Sequence, residues 1–197
     1  GGTGDKGKTP TDKVIVFTYE LDTTKVDAND PAKKLAGAEF QLYKNVNSTK
    51  NYAIVAYGKV TGWTTDSVKA TTLKSDANGL FKVAGLDDGT YFLHESKAPS
   101  GYNLLTSDIK VTITATTANT QNWTTGNASD ALTALNVKVG STNGVGNVTT
   151  GIVNASVQNS KGATLPSTGG IGTTIFYVVA GSMLICACAM LLRRKHS

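Results

Sequence analysis

The chain has 197 residues, 40% of them hydrophobic and 17% charged, with a formal net charge of +5. Three of its 19 basic residues, Arg193, Arg194 and Lys195, stand in the last five positions, leaving 16 lysines against 14 acidic residues, so the rest carries +2 and no basic patch for nucleic acid is implied. Both cysteines, Cys186 and Cys188, lie in an apolar stretch near the C-terminus, so a disulfide cannot cross-link the remainder and any covalent tie there needs other chemistry.

His94 and His196 are the only histidines and no cysteine accompanies them outside that stretch, so neither a metal site nor a Cys-His pair can be assembled, and no cofactor is implied. No glycine-rich phosphate loop leads from a strand into a helix.

In chain order, residues 1–12 are rich in Gly, Thr and Lys and read as a linker; they lack the charged start and apolar run of a secretory signal, so the sequence is expected to be the C-terminal part of a longer exported protein. Residues 13–161 are rich in Thr, Val, Ala, Gly and Asn, with alternating runs bounded by turn residues and no amphipathic helix of ordinary length, which predicts an all-β sandwich. Strands are expected at 14–26, 38–44, 52–61, 79–83, 89–95, 108–116, 136–140 and 151–159. Turns fall at Asp76-Ala77-Asn78-Gly79 and Asp87-Asp88-Gly89. The polar, low-complexity stretch at about 117–150 reads as a less ordered insertion with one short strand or helix near 131–135.

Residues 162–170 form a spacer. Residues 171–192 then contain no charged side chain, long enough to cross a hydrocarbon core of roughly 30 Å as one transmembrane helix. The basic tail at 193–197 places that end in the cytoplasm and everything before it outside.

Directly before the span stands Leu165-Pro166-Ser167-Thr168-Gly169. Pro166 biases the segment to an extended form and Gly169 leaves the bond after Thr168 uncrowded. Motif, span and basic tail in this order resemble the cell-wall sorting signal of sortase-anchored Gram-positive surface proteins. The resemblance implies that a sortase thiolate attacks the carbonyl of Thr168, releases Gly169 onward and passes the acyl group to an amine. That amine would be a lysine of a neighbouring pilin subunit or the peptidoglycan cross-bridge.

Three further blocks occur in order: Lys25-Val26-Asp27 with Leu35-Ala36-Gly37-Ala38-Glu39-Phe40-Gln41-Leu42-Tyr43; the run from Gly85 to Glu95; and Ala98-Pro99-Ser100-Gly101-Tyr102. Together they resemble the Cna B-type, immunoglobulin-like domains of Gram-positive pilins and adhesin stalks. The resemblance implies an internal isopeptide bond between Lys25 on the first strand and Asn159 on the last, promoted by the acid Glu95. In that scheme the uncharged amine of Lys25 attacks the Asn159 side-chain carbonyl, while Glu95 polarises the carbonyl, shuttles a proton and lets ammonia leave.

Strand parity agrees: Phe17, Tyr19, Leu21, Thr23 and Lys25 share one face, as do Tyr91, Leu93 and Glu95, and as do Val153, Ala155, Val157 and Asn159. Three polar groups aimed at one core would be costly unless they satisfied each other. Lys13 competes with Lys25 as donor, Asn154 is the neighbouring amide but of opposite parity, and the bland reading of Glu95 is a surface ion pair with Lys97.

Tyr19, Tyr43 and Tyr91 read as core; Trp63 and Trp123 are candidates for carbohydrate or protein contact. The sequons at Asn47, Asn122, Asn127, Asn147 and Asn154 read as chance in an Asn- and Thr-rich bacterial chain. Two functions remain. One is the C-terminal domain of a backbone pilin, polymerised by a sortase; the other is a stalk or terminal domain of a wall-anchored adhesin or minor, basal pilin that binds a host surface ligand. An enzyme is not expected beyond the single-turnover bond.

Overall fold

The computed structural model describes residues 16–118 and 131–162, and these fold as strands with almost no helix. The alternation visible in the sequence becomes alternation of burial. In β1 (Tyr19–Asp27), Tyr19, Leu21, Thr23 and Lys25 are buried and Glu20, Asp22 and Thr24 are not. The last strand, β11 (Ile152–Asn159), repeats the rule, with Val153, Ala155, Val157 and Asn159 inward.

β1 is the middle strand of a small sheet. It pairs in parallel with β11 and antiparallel with β6 (Leu80–Leu86). The larger sheet contains β2 (Glu39–Val46), β3 (Thr49–Ala56), β4 (Lys59–Thr64), β7 (Gly89–Lys97), β8 (Ile109–Thr117), β9 (Leu132–Val139) and β10 (Thr142–Val145), ordered β10-β9-β8-β7-β2-β3-β4, with the two-residue β5 (Leu73–Lys74) beside β2. One register pair, Lys59 with Ala84, links the sheets.

Leu21, Phe81, Val83, Val153 and Val157 from the small sheet meet Phe40, Leu42, Leu93, Val111, Ile113 and Val137 from the large one in a single core. Tyr19, Tyr43 and Tyr91 are buried, as their positions in the sequence suggested.

Three expectations require correction. The run 52–61 is not one strand: the chain reverses at Tyr57-Gly58, both in the left-handed region, and splits the run between the antiparallel β3 and β4. The described part of the 117–150 stretch is ordered, because Leu132, Leu135 and Val137 reach the core and pull β9 onto β8, while β10 returns along β9. The strand expected at 136–140 therefore begins earlier. β1 begins at Tyr19 rather than at residue 14, and the linker, Lys13, the sorting motif and the predicted span 171–192 lie outside the described residues. Among the described residues no helix is long and apolar enough to cross a membrane, and no cluster of metal-ligating side chains occurs.

The turn before β6 fixes the strand that carries Lys25. Asp76 Oδ1 accepts from the backbone N–H groups of Asn78 and Leu80, each at 2.8 Å, and Gly79 adopts φ +71°. The Gly79 carbonyl then accepts from Lys25 N–H at 2.7 Å. A Cβ on Gly79 would sit 2.6 Å from the Lys25 carbonyl oxygen, and that atom is backbone and cannot swing away. Gly79→Ala is therefore expected to destabilise the domain by about 2 kcal/mol, left-handed strain plus a clash, measured by urea unfolding; an unchanged midpoint would contradict this reading of the turn.

Candidate functional site

Sheet pairing brings the three sequence candidates together. Lys25 lies opposite Val157 and Asp27 opposite Asn159, so the inward side chains of Lys25 and Asn159 are diagonal neighbours on adjacent parallel strands. Glu95 comes from the facing sheet, where β7 pairs with β2 and sets Glu95 opposite Phe40. All three are buried, with residue exposures of 0% for Lys25, 3% for Glu95 and 1% for Asn159.

Their contacts are few and short. Lys25 Nζ donates to the Val157 carbonyl oxygen at 3.0 Å. Asn159 Nδ2 donates to Glu95 Oε1 and Oε2 at 3.1 and 2.9 Å and to the carbonyl oxygen of Asn103 at 2.7 Å. The Leu105 N–H donates to Glu95 Oε2 at 2.9 Å. Three acceptors around Nδ2 fix the orientation of the amide, since its oxygen in that position would meet only other oxygens. Asn159 Oδ1 thus points away from Glu95 and is buried without a hydrogen-bond partner among the described residues. Glu95 touches the amide nitrogen rather than polarising the carbonyl, the role expected from the resemblance.

Burial pushes the Lys25 amine down to about 8, with the Glu95 carboxyl pulling the other way. Roughly a tenth of it is then uncharged at pH 7, against well under a thousandth for a solvated lysine. An uncharged amine is a nucleophile, and a carboxyl that accepts hydrogen bonds from the amide nitrogen is placed to relay to it the proton that the attacking amine sheds.

The competing readings separate. Asn154 is exposed on the outer face of β11. Lys97 pairs with Glu39 at 3.6 Å, not with Glu95. Trp63 stacks on Tyr91 at 6.1 Å and has the Lys44 ammonium 4.2 Å from its ring centroid, so its aromatic face is already covered; Trp123 lies outside the described residues.

Sequence reasoning missed the loop after β7. Asn103 and Leu105 touch Asn159 and Glu95 through backbone atoms, which any residue type supplies. Tyr102 OH donates to Asp27 Oδ2 at 2.8 Å, and the Tyr102–Lys161 bridge and the Asn103 N–H to Ser160 carbonyl bond at 3.0 Å hold the same loop against the chain leaving β11. The only available signal was the Pro99-Ser100-Gly101-Tyr102 block.

Comparison with known proteins agrees with this architecture. The family model of the SpaA prealbumin-like fold domain matches residues 19–128, and that of the LPXTG cell wall anchor motif matches residues 157–197. The pilus 2b backbone protein of group B streptococcus is 29% identical, with a TM-score of 0.53, covering 84% of this chain and 48% of its own. The minor pilin of Streptococcus agalactiae (23% identity, TM-score 0.46, 78% and 48% covered) and the full-length major pilin of Streptococcus pneumoniae (23%, 0.46, 75% and 31%) are also similar. The chain thus spans about half the length, or less, of these solved proteins. No curated protein sequence matches it significantly. The chain belongs to the SpaA prealbumin-like domain family and carries the cell wall anchor motif of Gram-positive surface proteins.

Proposed function

We propose that this chain is the C-terminal domain of a backbone pilin, joined to a neighbouring subunit through Thr168 by a sortase and locked internally by a Lys25–Asn159 isopeptide bond. The observation that carries the reading is the burial of Lys25, Glu95 and Asn159 on the first, facing and last strands of a domain followed by a sorting motif. The likeness to a pilus backbone protein at 29% identity supports it.

The bond suits tension. Pull enters at the start of β1 and leaves after β11, and these strands are adjacent and parallel, so stretching shears one against the other. A covalent link from Lys25 to Asn159 carries that load across a single side-chain bridge and bypasses the strands between. Chemically, the Lys25 nitrogen attacks the Asn159 side-chain carbonyl carbon, the C–Nδ2 bond breaks, Glu95 carries a proton from the attacking to the leaving nitrogen, and ammonia departs. Neither metal nor cofactor enters the scheme.

The assembly role is tested by immunoblotting wall extracts of the producing bacterium with antibody to this domain. A polymerised shaft gives a ladder of rising mass that collapses on Thr168→Ala. A single wall-linked band overturns the backbone reading in favour of an anchored adhesin or basal pilin.

A further inference from the structure

Three acceptors surround Asn159 Nδ2, namely both carboxyl oxygens of Glu95 and the Asn103 carbonyl, at 2.7–3.1 Å. A side-chain amide has only two N–H groups to offer. The leaving group, as it becomes ammonia, has three. The acceptor set therefore exceeds what the ground-state amide can use and equals what the departing nitrogen presents, which is how a site favours a transition state over its substrate.

Of the three, the Asn103 oxygen belongs to a loop rather than to a strand, and its place depends on how that loop is held. Two side chains fasten it: the exposed Asn103 amide, whose Nδ2 donates to the Lys161 carbonyl at 3.3 Å, and Tyr102, which reaches into the domain. Its hydroxyl reaches Asp27, a buried residue directly opposite Asn159 on β1. Asp27 Oδ1 is itself held by the Asn29 N–H at 2.8 Å, so the acceptor is fixed before Tyr102 arrives. These bonds, with burial opposing them, keep the Asp27 carboxyl below its usual range and hence charged, a strong partner for the phenol. Lys33 lies 5.8 Å from the Tyr102 ring centroid and covers it. Two residues beyond Asn103, the same loop supplies the Leu105 N–H to Glu95.

We propose that Tyr102 and Asp27 form a latch that positions the Asn103 carbonyl and the Glu95 carboxyl as a cradle for the departing ammonia. Tyr102 and Asp27 are positioning residues; neither touches the reacting atoms. The inference rests on the Lys25–Asn159 reading above and adds the residues that set its rate.

The test follows the full chain in mild detergent, made in a reconstituted translation system, quenched in acid at successive times and weighed intact. The wild type loses one ammonia. Tyr102→Phe, which removes one oxygen atom, is expected to slow that loss at least tenfold, Asp27→Ala to slow it similarly, and the double variant to be no slower than the slower single one, because both break the same contact.

A merely structural role is separated by hydrogen exchange in the Lys25→Ala background, where the bond cannot form. With the latch as proposed, Tyr102→Phe loses protection of the Asn159 side-chain amide while backbone amides of β1 and β11 keep theirs. A wild-type rate in Tyr102→Phe, additive slowing in the double variant, or an equal loss of protection throughout the two strands overturns the latch alone. A wild-type chain that never loses ammonia overturns the latch and the isopeptide reading together.

Discussion

Replacing Lys25 by methionine is expected to lower the unfolding free energy of the domain by about 5 kcal/mol, the chain-entropy value for opening a cross-linked loop of order a hundred residues. Stabilities of ordinary domains span about 5–15 kcal/mol, so the loss is a large share of the whole. Methionine is chosen because it fills the buried volume of Lys25 without an amine. In the cross-linked protein the Lys25 nitrogen is an uncharged amide, so the substitution breaks no buried ion pair, whose loss would itself be costly, and the drop reads the covalent tie. Asn159→Ala should fall by a similar amount, since it opens the same loop from the other side. Guanidinium unfolding of the three proteins reads the difference directly; equal midpoints would mean that no covalent tie joins first strand to last.

The second large effect is on pH. In Asn159→Ala the amine of Lys25 has no acceptor carbon and remains buried. Its pKa, about 8 in the fold against 10.5 when solvated, means that between these values the unfolded chain holds a proton that the folded chain has released. Stability must then rise with pH across that window, by about 3 kcal/mol in total, and be flat with respect to this group below pH 8, where both states are protonated. The wild type, whose amine has become an amide nitrogen, should lack the rise. Unfolding series at pH 7.5, 9 and 10.5 for both proteins give the difference curve. A flat difference would mean that Lys25 behaves alike in both proteins, either solvated in each or still a free buried amine in the wild type.

The sequence made some of this legible and concealed the rest for physical reasons. Strand parity was enough to aim Lys25, Glu95 and Asn159 inward, because a period of two leaves no choice of face once Leu21, Leu93 and Val157 are assigned to the core. Parity alone could not say that β1 and β11 run in parallel side by side. The family blocks implied a bond between the first and last strands, and the structure shows those strands parallel, with Lys25 beside Val157.

The β3–β4 reversal was hidden because its first turn residue is Tyr57, at φ +52°, where the usual hairpin signal is Asn or Asp. Only the second half of β9 was legible as a strand, because its core contacts are a few apolar residues dispersed among Thr, Asn and Lys that gain order where β8 offers them an edge. The loop at 102–105 was hidden most completely, since its Asn103 and Leu105 contacts to the buried pair are backbone atoms.

The central claim is that the domain closes on itself chemically. Its most direct test is the intact mass of the full wild-type chain produced in a host without a sortase, followed by protease digestion. The wild-type mass is expected one ammonia below that of the sequence, with a branched fragment joining the peptide of Lys25 to that of Asn159, both absent in Lys25→Met. A folded wild-type chain with its full sequence mass and no branched fragment would contradict it.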